Sequence, residues 1–356
     1  MKEVLSKVIY FREIYMYLKF EKRDDTLIIR LMGELDHHSA EEVRVKIDDR
    51  IDRDNIKKVI QPKKISCCLH CESKHFVKNG KENNNQRYLC RICKKSFVEQ
   101  TGTILYKTHK SIDVWDKYIE CFLEKYSIRK SARICKINIA TAFAWRHKIL
   151  DALQKMMDEV ELYGVVQADE TYTTISYKGN HKHFMLPRPA HQRGTKATKR
   201  GISQEQVCVT CGVNLSGLSI AKISNLGRPT LSDVQKVLDG KIKTESIFVT
   251  DSLRPYQKLS NDMNLNHIRI DTDKRSKGIF NIQTINNYHS CLKAMIINTF
   301  KGVATKYLNN YLVYHNFVNF YKDTIENKNL ILIEYIRDTI CLSKSIDISK
   351  RPCVPI

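Results

Sequence analysis

The chain has 356 residues, of which 42% are hydrophobic, so we expect two to four modules with real cores. Lysine and arginine outnumber acidic residues by 60 to 39, and the formal net charge of +21 favours a polyanionic partner. Charge alone leaves a generic basic protein as the alternative. No apolar run approaches the roughly 20 residues of a membrane span, and Arg12, Glu13 and Lys19 interrupt the first apolar stretches. We therefore predict no signal peptide, no membrane span and a cytoplasmic protein.

The first 60 residues have the pattern of a small α/β unit. Residues 26–32 (TLIIRLM) predict a strand, and residues 33–38 predict a turn. Ser39 and Glu42 form a capping box, after which apolar residues recur at helical spacing. Residues 57–60 could begin another strand. We place a module boundary directly after them, where the sequence becomes rich in lysine and cysteine.

Five of the twelve cysteines fall between Cys67 and Cys93, which favours a metal site in a reducing compartment over a disulfide framework. Two Cys-x-x-Cys knuckles supply four thiolates, the ligand set of a closed, structural zinc site. The predicted ligands are Cys68, Cys71, Cys90 and Cys93. Strand-like pieces lie between the knuckles, and Phe97 follows as a packing residue. The alternative is four unrelated thiols; Cys67 and His70 are left out because Cys67 breaks the knuckle spacing.

Residues 111–155 predict a helical region with an apolar stripe that includes Trp115 and Phe122. A second helix near residues 127–132 and a turn near residues 136–138 precede a helix at residues 141–150, which is the logic of a helix-turn-helix. The alternative is an ordinary helical connector. Trp145 is expected in the core. The residues predicted to contact DNA from the last helix are Thr141, Arg146, His147 and Lys148.

From residue 162 the pattern changes to three strands, a helix, a strand, a helix, a strand and a long helical stretch. This order suits a mixed sheet with flanking helices. The predicted strands cover residues 162–177, 206–214, 217–224, 245–251 and 267–271. The predicted helices cover residues 230–239, 254–262 and about 281–320.

Asp169 and Asp251 each end an apolar strand, and if the strands are neighbours the two carboxylates can bridge two Mg2+ ions. Asn286 and Lys293 are seven residues apart on the last helix and so lie on one face, where they can contact a metal and a phosphate. For either acid alone, a capping or turn role is the simpler interpretation. Glu170 competes with Asp169 for a metal role.

Residues 181–200, between the first two strands of this region, hold six lysines or arginines and no acid. We predict a DNA clamp there; a merely solvated loop is the alternative. The residues proposed for it are Arg193, Lys196, Lys199 and Arg200.

Several segments between about 61 and 320 resemble the IS1595-family, ISXO2-like transposases. The segments are CLHC…CRICKKSF, TAFAWRHKIL, QADETY, RGISQEQVCV, VTDSLRPY and NIQTINNYHSCLK…FKGVATKYLNNYL. The resemblance implies an RNase H-like core with a D, D, then E or N pattern and a downstream lysine, which falls on Asp169, Asp251, Asn286 and Lys293. It also implies cleavage and transfer of DNA strands at terminal inverted repeats with two Mg2+ or Mn2+ ions, one structural Zn2+, and a homo-oligomer on DNA.

Residues 16–60 resemble something else, the first half of a STAS-domain anti-sigma factor antagonist, with GELDHH followed by SAEE as the telling part. The phosphoacceptor serine segment of that family is not found, so a sigma-factor regulator is not an expected partner. We interpret the chain as a fused reading frame. An anti-sigma factor antagonist and a catalytically dead DNA-binding relic are the alternative functions.

The expected fold is a multidomain α/β protein. The expected modules are an extension (1–15), a partial βαβ STAS domain (16–60), a zinc ribbon (61–103), a helix-turn-helix region (104–155), an RNase H-like catalytic domain (156–322) and a tail (323–356).

Overall fold

The structure is a computed structural model that divides into two compact units, Met1–Ile65 and Ser66–Ile356. It describes residues 4–11, 14–23, 26–32, 65–82, 85–179, 199, 201–271, 274, 276–320 and 325–355. The turn, capped helix and strand predicted between residues 33 and 60 lie outside these residues.

The first unit contains an antiparallel meander of three strands, β1 (Val4–Phe11), β2 (Ile14–Arg23) and β3 (Thr26–Met32). The strand predicted at residues 26–32 is confirmed. β1 and β2 were not predicted, although both are rich in the β-branched and aromatic residues that favour strands.

The second unit begins with a small antiparallel sheet of β4 (Phe76–Glu82), β5 (Asn85–Cys90) and β6 (Ser96–Phe97). One aromatic ring from each strand fills its core, and the ring centroids of Phe76, Tyr88 and Phe97 lie 5.4–5.7 Å apart. Phe97 is therefore the packing residue that the sequence predicted. Three rings are a small core, so this sheet needs further support.

The predicted helical region consists of α1 (Ile112–Leu123), α2 (Ile128–Ile134) and α3 (Ile139–Asp158). Side chains at the helix starts satisfy free backbone N–H groups: Ser127 accepts from Lys130 and Asn138 accepts from Ala140. Trp145 is buried and stacks on Trp115 at 3.7 Å, as a core residue should. α3 continues two turns beyond the predicted residue 150.

A five-stranded mixed sheet follows, with strand order β11-β10-β7-β8-β9. The strands are β7 (Val165–Thr174), β8 (Gln206–Asn214), β9 (Ser219–Leu226), β10 (Ile247–Thr250) and β11 (Asn266–Arg269). β7, β8 and β9 form an antiparallel meander, whereas β10 runs parallel to both β7 and β11. All five predicted strands of this region are present.

Helices cover both faces of the sheet. On one face, α4 (Leu231–Leu238) and α5 (Arg254–Asp262) pack over a cluster that includes Val166 and Phe248. On the other face lie α6 (Gln283–Ala294) and α7 (Leu308–Phe320), with α3 in the same core cluster. Gly212 of β8 permits the close approach of α4, because a Cβ there would lie only 3.1 Å from the side chain of Leu238.

The long helix predicted over residues 281–320 is wrong in one respect, because the chain breaks in its middle. A short hairpin, β12 (Ser276–Lys277) with β13 (Phe280–Asn281), precedes α6, and a π-helix (Met295–Thr299) follows it. A turn with Lys301 and Gly302 at positive φ and a 3-10 helix (Thr305–Tyr307) then lead into α7. The ammonium of Lys178 caps this turn by donating to the carbonyls of residues 300–302.

The C-terminal residues form α8 (Ile325–Asp338) and α9 (Ser345–Ser349). Arg351 donates to both oxygens of Asp151 on α3 at 2.6 Å and to Asn310 on α7 at 2.7 Å. This charge-assisted network fastens the end of the chain to the two helices. Among the helices of the described ranges, none has both the length and the apolar character for crossing a membrane.

Candidate metal centre and acidic site

The four predicted zinc ligands form one cluster, with all four sulfur atoms within 4.8 Å of one another. Cys68 and Cys93 are 3.7 Å apart and Cys71 and Cys90 are 3.6 Å apart, measured between sulfurs. A tetrahedral zinc site with Zn–S bonds of 2.3 Å requires about 3.8 Å between sulfurs. Two of the six sulfur separations match this value and none exceeds 4.8 Å, so the four thiols can surround one zinc ion after a small contraction.

The pKa shifts within the cluster differ in direction: against the lowering effect of the Ser73 backbone, burial and neighbouring thiols raise the pKa of Cys71, whereas Cys90 is favoured as the thiolate. Burial opposes ionisation of Cys90, but the N–H groups of Cys93 and Ile92, together with neighbouring thiols, lower its pKa to about 6. His70 bonds to the carbonyl of Ser96 through its ring, outside the sulfur cluster. This contact agrees with the prediction that His70 is not a zinc ligand.

Asp169 and Asp251 lie side by side because β7 and β10 are neighbours. The parallel register aligns Thr250 with Ala168, so the residue that follows each of them is an aspartate. Adjacent strands are about 4.8 Å apart. The turn after β10 is held by the carboxylate of Asp251, which accepts the backbone N–H of Leu253 at 2.9 Å. The register therefore places the two predicted acids beside each other at the point where β10 ends. Asp251 follows its strand as predicted, but Asp169 does not end a strand, because β7 continues to Thr174 in its pairing with β8.

The surroundings of Asp169 are unfavourable for a carboxylate in the absence of a cation. Burial raises the pKa of Asp169 to about 7, and the charges of Glu170 and Asp251 add to the rise. The backbone N–H of Glu170, at 2.9 Å, and the charge of Lys293 oppose it. A desolvated pair of neighbouring acids is the arrangement that a divalent cation relieves.

Glu170 points away from Asp169, as successive residues of a strand do. One of its carboxylate oxygens accepts from Tyr256 at 3.0 Å and the other from Tyr172 at 3.3 Å. Burial and the charge of Asp251 raise its pKa, while the bond from Tyr256 lowers it. These contacts connect β7 to α5 and occupy both oxygens of Glu170. They therefore favour Asp169 over Glu170 as the candidate metal ligand.

α6 carries the other two predicted site residues, and both are exposed. Lys293 is near enough for its charge to act on Asp169. Asn286 lies two turns before it on the same helix, seven residues away.

One buried residue of this helix was missed by the sequence analysis. The ring nitrogen Nδ1 of His289 lies 3.8 Å from a carboxylate oxygen of Asp169. The sequence could have identified it from its spacing. His289 lies three residues after Asn286 and four before Lys293, so all three share one face of the helix.

Only some of the residues predicted to contact DNA lie at the surface among those that the structure describes. Arg146 and His147 are 2% and 1% exposed, so they cannot reach a nucleic acid in this structure. The prediction that these two residues contact DNA is therefore wrong for this structure. Thr141 and Lys148 are half-buried, and Lys199 is exposed. The other three clamp residues, Arg193, Lys196 and Arg200, lie outside the described residues.

Packing explains the burial of both side chains. The guanidinium of Arg146 donates to the carbonyl of Tyr126 and lies over the ring of Phe300. The ring of His147 packs between Phe143 and Tyr307 at centroid distances of 4.6 and 4.2 Å. This face of α3 is therefore covered by the rest of the second unit.

The burial of His147 predicts a loss of stability in acid. Burial and the charges of Arg351, Arg146 and Lys306 lower the pKa of His147 to about 3. The unfolded chain takes up this proton near pH 6.5 and the folded chain does not, so stability falls as pH drops below that value. The slope is up to about 1.4 kcal/mol per pH unit for one such group.

Urea unfolding between pH 7 and pH 4 measures this effect. We expect a shallower acid slope in His147→Phe than in the wild type, and an unchanged slope in the matched variant of an exposed histidine, His109→Phe. Equal slopes in His147→Phe and the wild type would contradict the prediction.

The chain is similar to a known protein family and to other known proteins. Residues 161–317 match the family model described as ISXO2-like transposase domain. The chain is 24% identical over 196 residues to an uncharacterized protein in transposable element ISH50 of Halobacterium salinarum, covering 55% of the chain and 65% of that relative. It is also similar to a chain in a crystal structure of a pre-cleavage Mos1 transpososome, at 6% identity and a TM-score of 0.22, covering 64% of this chain and 80% of that one. A TM-score this low supports no conclusion.

Proposed function

We propose that the chain is the transposase of an insertion sequence, which cleaves and joins DNA strands, because residues 161–317 match the family model of an ISXO2-like transposase domain. The observation that carries the proposal is the alignment of Asp169 on β7 with Asp251 at the carboxyl end of β10. The relative in a transposable element agrees with this function. The strand order, a three-strand meander extended by two parallel strands, supports an RNase H-like core.

We propose that Asp169, Asp251 and Asn286 hold two Mg2+ ions. When bound, the ions would activate the attacking oxygen and stabilise the leaving oxygen. A water oxygen attacks the phosphorus in cleavage and a DNA 3′-hydroxyl attacks it in strand transfer, and in each case one P–O bond forms as another breaks. Lys293 contributes a positive charge next to the site and is free to contact a phosphate of the DNA.

The DNA-binding role rests on charge and on the modules that precede the sheet. The net charge of +21 matches a DNA partner. The exposed lysines and arginines of the zinc ribbon, the helix-turn-helix region through Thr141 and Lys148, and the segment around Lys199 are the surfaces that we assign to terminal repeats and target DNA. Pairing of two element ends calls for a homo-oligomer.

Purified, zinc-loaded protein tests the proposal when it is incubated with DNA that carries the inverted repeats flanking this reading frame. We expect nicks at the repeat ends and joined products that depend on Mg2+ or Mn2+. Binding without any cleavage in either metal would instead support the catalytically dead relic.

We propose that residues 16–60 are a truncated STAS domain without a part in transposition. The division of the chain into the units Met1–Ile65 and Ser66–Ile356 supports a module boundary near residue 61. The predicted boundary at residue 16 has no such support, because β1 of the predicted extension pairs with β2. A chain that starts at Gln61 should therefore cleave and join DNA at the wild-type rate. Gel assays of both proteins, matched for zinc content, measure this, and a large loss of activity on truncation would show that the first unit belongs to the transposase.

A further inference from the structure

His289 is a buried imidazole next to the candidate metal ligand Asp169. It is 7% exposed, and its Nδ1 atom lies 3.8 Å from Oδ2 of Asp169. Its other nitrogen, Nε2, is also buried and has no hydrogen-bond partner among the residues that the structure describes. The second oxygen of Asp169, Oδ1, accepts the backbone N–H of Glu170.

The proton of this ring is best placed on Nδ1. Nδ1 is the nitrogen that faces the carboxylate, 3.8 Å from Oδ2, so a proton on it can be shared with Asp169. A proton on Nε2 alone would leave a buried donor without an acceptor among the described residues and would turn the Nδ1 lone pair towards a carboxylate oxygen. A proton on Nδ1 points at Oδ2 and leaves only an unpaired acceptor at Nε2.

We propose that His289 is a positioning residue that donates its Nδ1–H to Asp169 and so fixes the orientation of this carboxylate for a divalent cation. The two donors, one from the backbone of Glu170 and one from the ring, direct both oxygens of Asp169. At 3.8 Å the contact is longer than a hydrogen bond, and a small rotation of either side chain would bring Nδ1–H within hydrogen-bonding distance of Oδ2. The inference rests on the proposed metal site of Asp169 and Asp251.

Two substitutions separate the hydrogen bond from the packing of the ring. In His289→Asn the side-chain amide nitrogen occupies the place of Nδ1 and can still donate, whereas His289→Leu fills part of the space without a donor. His315 on α7 provides a matched control, because it is 6% exposed, packs against Tyr288 of α6, and has an Nε2 atom without a hydrogen-bond partner in the described part of the chain.

Mn2+ binding to the full chain, saturated with zinc beforehand and followed by the electron paramagnetic resonance of free Mn2+, tests the proposal. We expect His289→Leu to weaken binding by about 10–100-fold, the loss usual for partners of metal ligands. His289→Asn should bind close to wild type, and His315→Leu should bind like wild type. Circular dichroism checks that each variant is folded.

Three results would overturn the inference: wild-type affinity in His289→Leu, equal weakening in His289→Asn and His289→Leu, or a 14N coupling from the His289 ring to bound Mn2+, which would make the ring a ligand. The site itself is tested separately by Asp169→Asn. If that variant binds Mn2+ as tightly as the wild type, the proposed metal site fails, and the role of His289 fails with it.

Discussion

Replacing Asp251 with asparagine should abolish metal-dependent strand cleavage, with a loss of at least about a thousandfold, because each ~1.4 kcal/mol of lost transition-state stabilisation costs a factor of ten. Asp169→Asn should have the same effect. The asparagine side chain is nearly isosteric but carries no charge, so the variants lose the attraction for a divalent cation and not the packing. Both also remove repulsion between neighbouring acids, so neither should be less stable than the wild type.

Single-turnover cleavage of a labelled repeat end measures this loss, and gel-shift assays should show that DNA binding persists. Asp239→Asn, at an exposed position just after α4, is a matched control and should cleave at the wild-type rate. Retained strand transfer in both Asp169→Asn and Asp251→Asn would refute the catalytic assignment.

Glu170→Gln distinguishes the two adjacent acids of β7. Both oxygens of Glu170 are held by tyrosine hydroxyls, so its role is to tie β7 to α5. We expect this variant to keep most of its cleavage activity while losing stability, because Tyr172 and Tyr256 lose a charged acceptor. A loss as large as that of Asp169→Asn would instead place Glu170 among the metal ligands.

The strands of the mixed sheet were predictable because the pattern that identifies a strand lies within the strand's own residues. Residues 206–214 and 254–262 were predicted with the bounds that the structure has, since a buried strand is a short apolar run and a surface helix has a regular apolar stripe. The proximity of Asp169 and Asp251 followed once β7 and β10 were assumed to be neighbours. The four-cysteine cluster was predictable for the same reason, because knuckle spacing is a property of the sequence alone.

Features that depend on packing between distant segments were not predictable. Arg146 and His147 are polar residues on a helix, and their burial involves residues distant in the chain, such as Phe300 and Tyr307. The break between α6 and α7 depends on Lys178, more than 120 residues earlier, which caps the turn. His289 lies next to Asp169 because α6 packs against β7, and this packing is not visible in the sequence.

Loss of zinc should unfold the small three-stranded sheet while the five-stranded sheet remains folded. The smaller sheet has a core of three aromatic rings, and the cysteine cluster is what joins its two knuckles. Metal binding supplies roughly 10–16 kcal/mol of apparent folding free energy to small zinc modules. Strong chelation, or Cys90→Ser, should therefore speed amide hydrogen exchange in β4 and β5 by at least about a thousandfold, or ~4 kcal/mol.

Hydrogen exchange resolved by segment measures this, with the amides of β7 and β8 as the internal reference. Cys67→Ser is the matched control, since Cys67 is adjacent to Cys68 in the chain but lies outside the four-cysteine cluster. That variant should retain one zinc ion per chain and wild-type exchange. Because the ribbon is also one of the proposed DNA-binding surfaces, Cys90→Ser should weaken binding to repeat ends even though Asp169 and Asp251 stay in place. Unchanged protection of β4 and β5 under chelation would show that the ribbon folds without zinc.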